Sequence, residues 1–172
     1  MRTADYFELV HTLARSAFAA RFPGCFLLKR PRRDAAVESS PNRFGFATIT
    51  AKIEIDPFAR EWEIVSVDKR PGNPFPEKVS IGRATNCDVV LRVPFVSKVH
   101  AYVLRGGNGA FTLQDNRPSN PTFHNQEKLA PGESRSLKVG DSIGFGQLEF
   151  EFVDAERLHD ILQLAPTQSV SE

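Results

Sequence analysis

Three separated segments of the sequence carry cationic or hydroxyl-bearing side chains at the ends of predicted β-strands or in the loops that follow. The first contains Arg83, the second Ser97 and Lys98, and the third Ser119 and Asn120. Arg offers a planar fork of N–H donors, Ser donates a hydroxyl hydrogen and Lys adds a compact positive charge. None of the five side chains is a carboxylate, so together they suit an anion with several acceptor oxygens.

A phosphorylated side chain is an anion of this kind, with about −1.5 to −2 charge and three strong acceptor oxygens. Arg83 could bind two of these oxygens, while Ser97 donates one further hydrogen bond. A hydrogen bond to a charged group contributes about 1.5 to 3 kcal/mol, so loss of Arg83 could lower the affinity more than tenfold. Asn120 suits a different role, because its amide both donates and accepts and can bond to the backbone of an extended peptide.

The same region does not match a catalytic site. Ser97 and His100 are three residues apart, but no third orienting residue and no oxyanion motif accompany them. The glycine-rich segments 106–109 and 144–146 lack the strand-before, helix-after context of nucleotide-binding loops. We therefore expect a non-enzymatic protein with no catalytic residue and no cofactor.

A β-rich region extends from about residue 44 to residue 153, where the hydrophobic period approaches two and turn clusters separate short apolar runs. Its clearest part has Leu148, Phe150 and Phe152 alternating with polar residues, which predicts one buried face. Gly106–Gly109 predicts a hairpin turn. The candidate strands are Ala47–Ile55, Trp62–Val67, Lys78–Ile81, Val89–Leu91, His100–Leu104, Ala110–Gln114, Thr122–His124, Ser134–Leu137 and Ser142–Phe152.

Residues 5–21 predict one amphipathic helix before this region. Asp5 precedes Glu8 by three residues, as in a capping box, and the pair Pro23-Gly24 ends the helix. The apolar face either packs on the strands or the C-terminal helix, or forms a docking surface for another subunit. Self-association through this helix is therefore a further expectation.

The remaining segments predict connectors and a second helix. The short apolar piece Cys25–Leu28 leads into a basic cluster at residues 29–33 and a polar stretch to about Asn42. After the strands, Asp154 can cap a short helix that ends at Pro166. The predicted organisation is an N-terminal helix and linker at residues 1–45, a β-sandwich at residues 46–154, and a short helix with a flexible tail at residues 155–172.

Composition excludes several classes of protein. The chain has 172 residues, of which 41% are hydrophobic and 25% charged, as in an ordinary single globular domain. Its formal charge of +1 gives no bulk attraction for nucleic acid or a membrane surface. Cys25 and Cys87 lie in no metal-ligand spacing, so we expect no metal site. Asp5 and Glu8 interrupt the N-terminal apolar stretch where a signal peptide would be continuous, which favours a cytoplasmic protein.

Five short pieces, in a fixed order between about residues 62 and 153, resemble the forkhead-associated (FHA) domain family. The family pattern is a Gly-Arg after a strand, a small-polar-Asp-apolar segment, Ser-x-x-His, an Asn-Gly-Thr turn and a late Gly-Asp-x-Ile-x-Phe-Gly. The matching pieces are Ile81-Gly82-Arg83, Asn86–Leu91, Ser97–His100, Ser119–Thr122 and Val139–Gly146. The resemblance implies an all-β fold, a two-sheet antiparallel β-sandwich, here with an added N-terminal helix and a short C-terminal helix.

The resemblance also implies a role for each matched residue. Arg83 and Ser97 match phosphate contacts, Lys98 lies where a side chain often helps to hold phosphate, and Asn120 matches the residue that binds peptide backbone beside a phosphothreonine. The implied phosphopeptide-binding residues are Arg83, Ser97, Lys98, Ser119 and Asn120, and the implied supporting residues are Gly82, His100 and Thr122. His100 would brace its loop rather than contact the ligand.

One departure from the family pattern leaves two functions open. Pro121 stands where the family has Gly, and it fixes its own φ near −65° while keeping Asn120 extended. The first function is a phosphothreonine reader in Ser/Thr kinase signalling, whose partner is a phosphorylated protein or peptide such as a kinase or its substrate. The second is a scaffold that binds partners independently of phosphate through the sandwich and the N-terminal helix, as Pro121 would suggest.

Overall fold

A computed structural model describes residues 1–31 and 61–165 of the chain. They form two β-sheets and three short helices. The strands are β1 (Cys25–Lys29), β2 (Glu63–Ser66), β3 (Lys78–Gly82), β4 (Val89–Val90), β5 (Ala101–Arg105), β6 (Phe111–Asp115), β7 (Thr122–His124), β8 (Glu127–Lys128), β9 (Ser134–Leu137), β10 (Ser142–Phe145) and β11 (Leu148–Asp154). The helices are α1 (Thr3–Thr12), α2 (Arg15–Arg21) and α3 (Ala155–Gln163).

The two sheets pack face to face as a β-sandwich. The six-stranded sheet has the order β2-β1-β11-β10-β7-β8, and the five-stranded sheet has the order β4-β3-β5-β6-β9. Among the described residues, β3 and β4 form the single parallel pair and the other strand pairs are antiparallel. The predicted β-sandwich is therefore confirmed. Phe111 and Phe152 meet between the sheets with ring centroids 5.3 Å apart.

A first hydrophobic core lies between the sheets. Val79, Val103 and Leu113 of the five-stranded sheet are fully buried against Phe145 and Phe152 of the six-stranded sheet. Because alternate residues of a strand point to opposite faces, the outward-facing residues of these strands lie at the surface or under the helices. The core holds the strand ends, and the loops between them, in a fixed arrangement.

A second hydrophobic cluster lies on the outer face of the six-stranded sheet, where the three helices pack. Val10 of α1, Phe18 of α2 and Leu158 of α3 are buried against Phe26 and Val153. The apolar face of the N-terminal helices therefore packs within the chain. Self-association through this region stays a prediction, and it would have to use another part of the helix surface.

The predicted single helix at residues 5–21 is wrong, because the chain forms α1 and α2 with a break at Leu13. Leu13 is extended, with φ −108° and ψ 137°. Its carbonyl oxygen lies 3.1 Å from Nε2 of His159 on α3. A tertiary contact is thus present at the break, and such contacts can override local helix propensity. The expected capping box is also displaced: the helix starts at Thr3, and the Asp5 carboxylate accepts a 2.7 Å hydrogen bond from the backbone N–H of Arg2.

Most predicted strands are present, with three differences. Residues 142–152 form two strands rather than one, because Gly146 adopts φ +62° and turns the chain. Cys25–Lys29 is a strand that pairs with both β2 and β11, so the six-stranded sheet begins ahead of residue 46. Strand β8 was not predicted. The candidate strand Ala47–Ile55, the polar stretch before it and the C-terminal tail lie outside the described residues.

The expected short C-terminal helix is present as α3. The side chain of Asp154 accepts a 2.8 Å hydrogen bond from the backbone N–H of Arg157, as a capping residue does. Across the described ranges, the helices are too short and too polar to cross a bilayer.

Candidate anion-binding site

Arg83 follows strand β3, and its side chain is held so that part of its guanidinium stays free. Its Nε donates a 2.9 Å hydrogen bond to the carbonyl oxygen of Val96, and its backbone N–H donates to the carbonyl oxygen of Ser97, also at 2.9 Å. The side chain is exposed, and its two terminal nitrogens carry no hydrogen bond within the described part of the chain. Arg83 therefore presents two N–H-bearing nitrogens in a fixed direction.

Ser97 lies beside Arg83 and links two loops. Its Oγ accepts a 2.9 Å hydrogen bond from the backbone N–H of Ser119. A hydroxyl group has one hydrogen to donate in addition to its acceptor lone pairs, so Ser97 can still donate to a ligand. The structure thus brings the backbone of Arg83 and of Ser119 into contact with Ser97.

Gly82 allows the Ser97 loop to lie directly against the end of β3. A Cβ atom at Gly82 would lie 2.3 Å from the carbonyl oxygen of Lys98 and 2.8 Å from Cα of Val99. Only a residue without a side chain permits this approach. Lys98 itself is exposed, and its ammonium makes no hydrogen bond or ion pair within the described residues. It remains available to an incoming anion.

His100 is fully buried beneath the same loop. Its Nδ1 accepts a 3.2 Å hydrogen bond from the backbone N–H of Ser97, and its ring packs edge-on against Phe145 at 5.4 Å. Burial lowers the pKa of His100 to about 4, although the Pro121 carbonyl and Asp115 act in the opposite direction. The imidazole is therefore neutral near pH 7, with its proton on Nε2, and it orients Ser97.

Asn120 lies in the loop between β6 and β7 and reaches the loop before β5. Its Nδ2 donates a 2.8 Å hydrogen bond to the carbonyl oxygen of Phe95. One amide hydrogen is used in this bond, so the second hydrogen and the Oδ1 atom remain for a ligand. In this loop Arg117 adopts the left-handed backbone conformation, with φ +52°. The turn therefore does not require a positive φ at position 121, which Pro121 could not adopt.

The identity of this region follows from comparison with protein families. Residues 79–146 match the FHA domain model. The chain contains an FHA domain. The match begins in β3 and ends just after β10, so it includes all five candidate binding residues.

The FHA domain has relatives among known proteins. A probable serine/threonine-protein kinase, fhkA of Dictyostelium discoideum, is 34% identical over 79 residues, which cover 41% of this chain and 13% of that protein. The chain thus corresponds to a small part of that relative.

Two solved structures are also similar. Mycobacterium tuberculosis EmbR in complex with a low-affinity phosphopeptide has 28% identity and a TM-score of 0.42, covering 46% of this chain and 20% of that one. The N-terminal FHA domain of S. cerevisiae Rad53p in complex with a phosphothreonine peptide has 21% identity and a TM-score of 0.46, covering 58% of this chain and 90% of that one.

The buried side chains of Thr122 and Asp115 anchor the β6–β7 loop of the FHA domain. Thr122 is fully buried, and its Oγ1 donates a 2.6 Å hydrogen bond to Oδ1 of Asp115. The other carboxylate oxygen accepts from the backbone N–H groups of Arg117, at 2.8 Å, and Gly132, at 3.0 Å. Asp115 therefore fixes both ends of this loop and the neighbouring turn. Asp115 is not among the residues predicted from the sequence, although an Asp that ends a strand before a loop is a frequent anchor.

Asp88 holds the β3–β4 loop that begins with Arg83. Its carboxylate accepts from Nζ of Lys69 at 2.9 Å, from the backbone N–H of Ser80 at 2.8 Å and from Nδ2 of Asn73 at 2.8 Å. Burial alone would raise the pKa of Asp88, but these hydrogen bonds hold it well below its usual range. Since Asp88 has these partners, it does not compete with a ligand for the guanidinium of Arg83.

Arg117 is an exposed cation near the site that is not among the residues predicted from the sequence. It precedes Pro118 and Ser119, its side chain is exposed, and it lies beside the turn at Gly132. The available signal was an Arg two residues before a matched motif in a loop. Function is concentrated in such loops, because the rigid sheets position them.

Proposed function

We propose that the FHA domain is a non-catalytic module that binds phosphothreonine-containing segments of proteins in Ser/Thr kinase signalling. The observation that carries this proposal is the pairing of Arg83 with Ser97. The Arg83 side chain, with two free guanidinium nitrogens, and the Ser97 side chain, with a hydroxyl hydrogen to donate, are carried by backbone segments that are hydrogen-bonded to each other. A phosphate group has three acceptor oxygens, which such a set of donors fits.

The other site residues fit the same ligand. Lys98 adds an exposed positive charge beside Ser97, and Asn120 offers a free amide hydrogen and a free carbonyl oxygen to a peptide backbone. The backbone N–H of Ser119 donates to Ser97 and is not available to a ligand. Ser119 therefore holds the two loops together, and only its hydroxyl group can bind the ligand. An extended peptide could therefore be held by its phosphate and by its main chain.

The contact between Ser97 and His100 argues against hydrolysis at this site. Nδ1 of His100 accepts from the backbone nitrogen of Ser97 and not from its hydroxyl. A general base must lie within hydrogen-bond reach of the proton it removes. Here that nitrogen is occupied by the main chain, which supports binding without catalysis.

Fluorescence polarisation with matched peptides tests the proposal. A phosphothreonine peptide library should bind, while the same peptides without phosphate should bind at least tenfold more weakly. Replacement of Arg83 by Ala should lower the affinity for phosphopeptides more than tenfold, since it removes charge-assisted hydrogen bonds. Lys138→Ala is a matched control, because Lys138 is an exposed cation outside the site.

Two results would contradict the proposal. One is equal binding of phosphorylated and unphosphorylated peptides by the wild-type protein. The other is unchanged phosphopeptide affinity in the Arg83 variant. Partners that remain bound after complete phosphatase treatment of a native pull-down would instead support the phosphate-independent scaffold.

A further inference from the structure

The turn between β5 and β6 holds an Asn-Gly pair in an exposed position. Residues 106–110 are all exposed, and Asn108 is followed directly by Gly109. A Cβ atom added at Gly107 or at Gly109 would have no atom within 4 Å, so the space on both sides of Asn108 is open. The side chain of Asn108 is therefore accessible to solvent and to its own backbone.

An Asn side chain can react with the backbone nitrogen of the next residue, because the amide carbon and that nitrogen are close enough to close a small ring. A Cβ atom on the next residue hinders the approach, whereas Gly presents an N–H without a Cβ. A Pro at that position has no N–H to lose. The pair Asn108-Gly109 thus has the residue types that this reaction requires.

Two backbone hydrogen bonds of the turn act on the reacting groups. The N–H of Ala110 donates to Oδ1 of Asn108 at 3.1 Å, as in an Asx turn. This donor would stabilise negative charge on Oδ1 when the amide carbon is attacked. The N–H of Gly109 donates to the carbonyl oxygen of Gly106 at 3.0 Å, so this bond must open before the nitrogen reacts. Local opening costs little at an exposed turn.

The other asparagines of the described chain lack this combination. Asn73 and Asn120 each precede a Pro, which has no N–H. Asn86, Asn116 and Asn125 each precede a residue with a side chain. The amide of Asn125 is in addition hydrogen-bonded through both Nδ2 and Oδ1, at 3.0 Å and 2.8 Å. The β5–β6 turn is thus set apart from these positions by its chemistry.

We propose that Asn108 is a site of spontaneous deamidation, with water as the co-reactant. The Gly109 nitrogen loses its proton to solvent hydroxide and bonds to Cγ of Asn108. The Cγ–Nδ2 bond then breaks, and Nδ2 takes a proton from water and leaves as ammonia, so that a succinimide ring remains. Water adds to either ring carbonyl and opens the ring, which gives aspartate or isoaspartate at position 108 with no oxidation or reduction.

The modification changes the end of the sandwich that lies away from the anion-binding site. It adds one negative charge, so the formal charge of the chain falls from +1 to zero. Isoaspartate also lengthens the backbone of a turn whose base is the pair Arg105 and Phe111. The five residues of β5 separate this turn from His100 by roughly 16 Å. The affinity for a phosphothreonine peptide should therefore not change, and the inference does not depend on the proposed function.

Incubation of the whole protein in water enriched in heavy oxygen, followed by peptide mapping with mass spectrometry, tests the proposal. The peptide containing Asn108 should gain one solvent oxygen, and its rate should rise with pH because hydroxide removes the Gly109 proton. The rate should be about tenfold or more above that at Asn86 or Asn116, which corresponds to about 1.4 kcal/mol in activation free energy. Aspartate and isoaspartate should both form, and electron-based fragmentation distinguishes them.

Gly109→Ala should slow the reaction at Asn108, because the added Cβ hinders the attacking nitrogen. Gly109 has φ +78°, so this variant is strained, and circular dichroism checks that it is folded. Gly107→Ala, on the other side of Asn108, should react at the wild-type rate. Asn108→Asp introduces the charge directly, and it should bind a phosphothreonine peptide as the wild type does. The comparison among asparagines in the wild-type protein needs no variant.

Three results would overturn the proposal. The first is a gain of oxygen at Asn108 that is no faster than at Asn86 and Asn116. The second is an equal rate in the wild type and in folded Gly109→Ala. The third is aspartate without isoaspartate, which would indicate direct hydrolysis of the side-chain amide instead of ring closure. If no phosphopeptide binds, the proposed function fails, whereas the oxygen incorporation at Asn108 still decides this inference.

Discussion

The Oγ atom of Ser97 accepts a 2.9 Å hydrogen bond from the backbone N–H of Ser119, which lies 22 residues further along the chain. The bond joins the loop before β5 to the loop before β7. It also fixes the oxygen of Ser97, so that its hydrogen is left for a ligand. The Ser97 side chain therefore joins the two loops of the site and also offers a hydrogen-bond donor to the ligand.

We expect Ser97→Ala to lower the affinity for a phosphothreonine peptide about tenfold or more. The variant loses a hydrogen bond to a charged group and also leaves the N–H of Ser119 without its acceptor. Ser97→Thr keeps a hydroxyl and should recover part of the affinity. Titration calorimetry measures both variants, with Ser134→Ala on the exposed part of β9 as the control. Wild-type affinity in Ser97→Ala would remove Ser97 from the proposed site.

Local patterns in the sequence predict much of this fold. The alternation at Leu148, Phe150 and Phe152 is visible because one side of β11 faces the core between the sheets. The positive φ of Gly109 likewise agrees with the predicted hairpin turn between β5 and β6. These elements depend on neighbours in sequence, so a single sequence reveals them.

The elements that were missed depend on distant residues. All five residues of Cys25–Lys29 are buried, because the helices cover the outer face of β1. A continuous apolar run shows no alternation of apolar and polar residues, so the sequence did not predict this strand. The break at Leu13 similarly coincides with a contact to His159, 146 residues further along the chain. The candidate site was predicted as a set of residues, whereas its anchor Asp115 was found only through its three-dimensional contacts.

We expect Gly82→Ala to impair both folding and ligand binding. The added Cβ would lie 2.3 Å from the backbone oxygen of Lys98, so the loop carrying Ser97 must move. Overpacking of this kind costs about 1 to 3 kcal/mol of unfolding free energy. Urea denaturation measures the loss, and fluorescence polarisation measures the accompanying fall in affinity.

Gly107→Ala is the matched control for this substitution. No atom lies within 4 Å of a Cβ built at Gly107, which is in the β5–β6 hairpin turn. Its stability and affinity should remain close to those of the wild type. A Gly82→Ala protein that behaves like the Gly107→Ala protein would show that the loop tolerates displacement.

His100 predicts a loss of stability in mild acid. Burial lowers its pKa from 6.5 to about 4, so between these pH values the unfolded chain binds a proton that the folded chain does not. The free energy of unfolding should therefore fall as the pH drops through this window, by about 2 kcal/mol at about pH 5. Urea denaturation at about pH 7 and about pH 5 measures the difference.

The His100→Gln variant isolates this effect. It should be less stable at neutral pH, because it loses the contact with Phe145, but its stability should change less between the two pH values. His11→Gln, at an exposed position in α1, should keep the wild-type pH dependence. Equal pH dependence in the wild type and the His100 variant would assign the acid sensitivity to other groups.

The N-terminal helices predict a separation of stability from binding. Phe18 of α2 is fully buried, and its ring lies 4.9 Å from that of Phe22 and 5.4 Å from that of His159. Phe18→Ala should lower the free energy of unfolding by about 3 to 5 kcal/mol. Ser16→Ala, at an exposed position of the same helix, should leave it nearly unchanged.

Phosphopeptide affinity should be the same in the Phe18→Ala and Ser16→Ala variants when it is measured at a temperature at which both are folded. The reason is that α2 packs on the outer face of the six-stranded sheet, whereas the site residues lie in loops of the sandwich. Thermal unfolding followed by circular dichroism sets the temperature for that measurement. If a folded Phe18→Ala protein binds phosphopeptide much more weakly, the helices must contribute to the arrangement of the loops, and stability and binding are coupled in this chain.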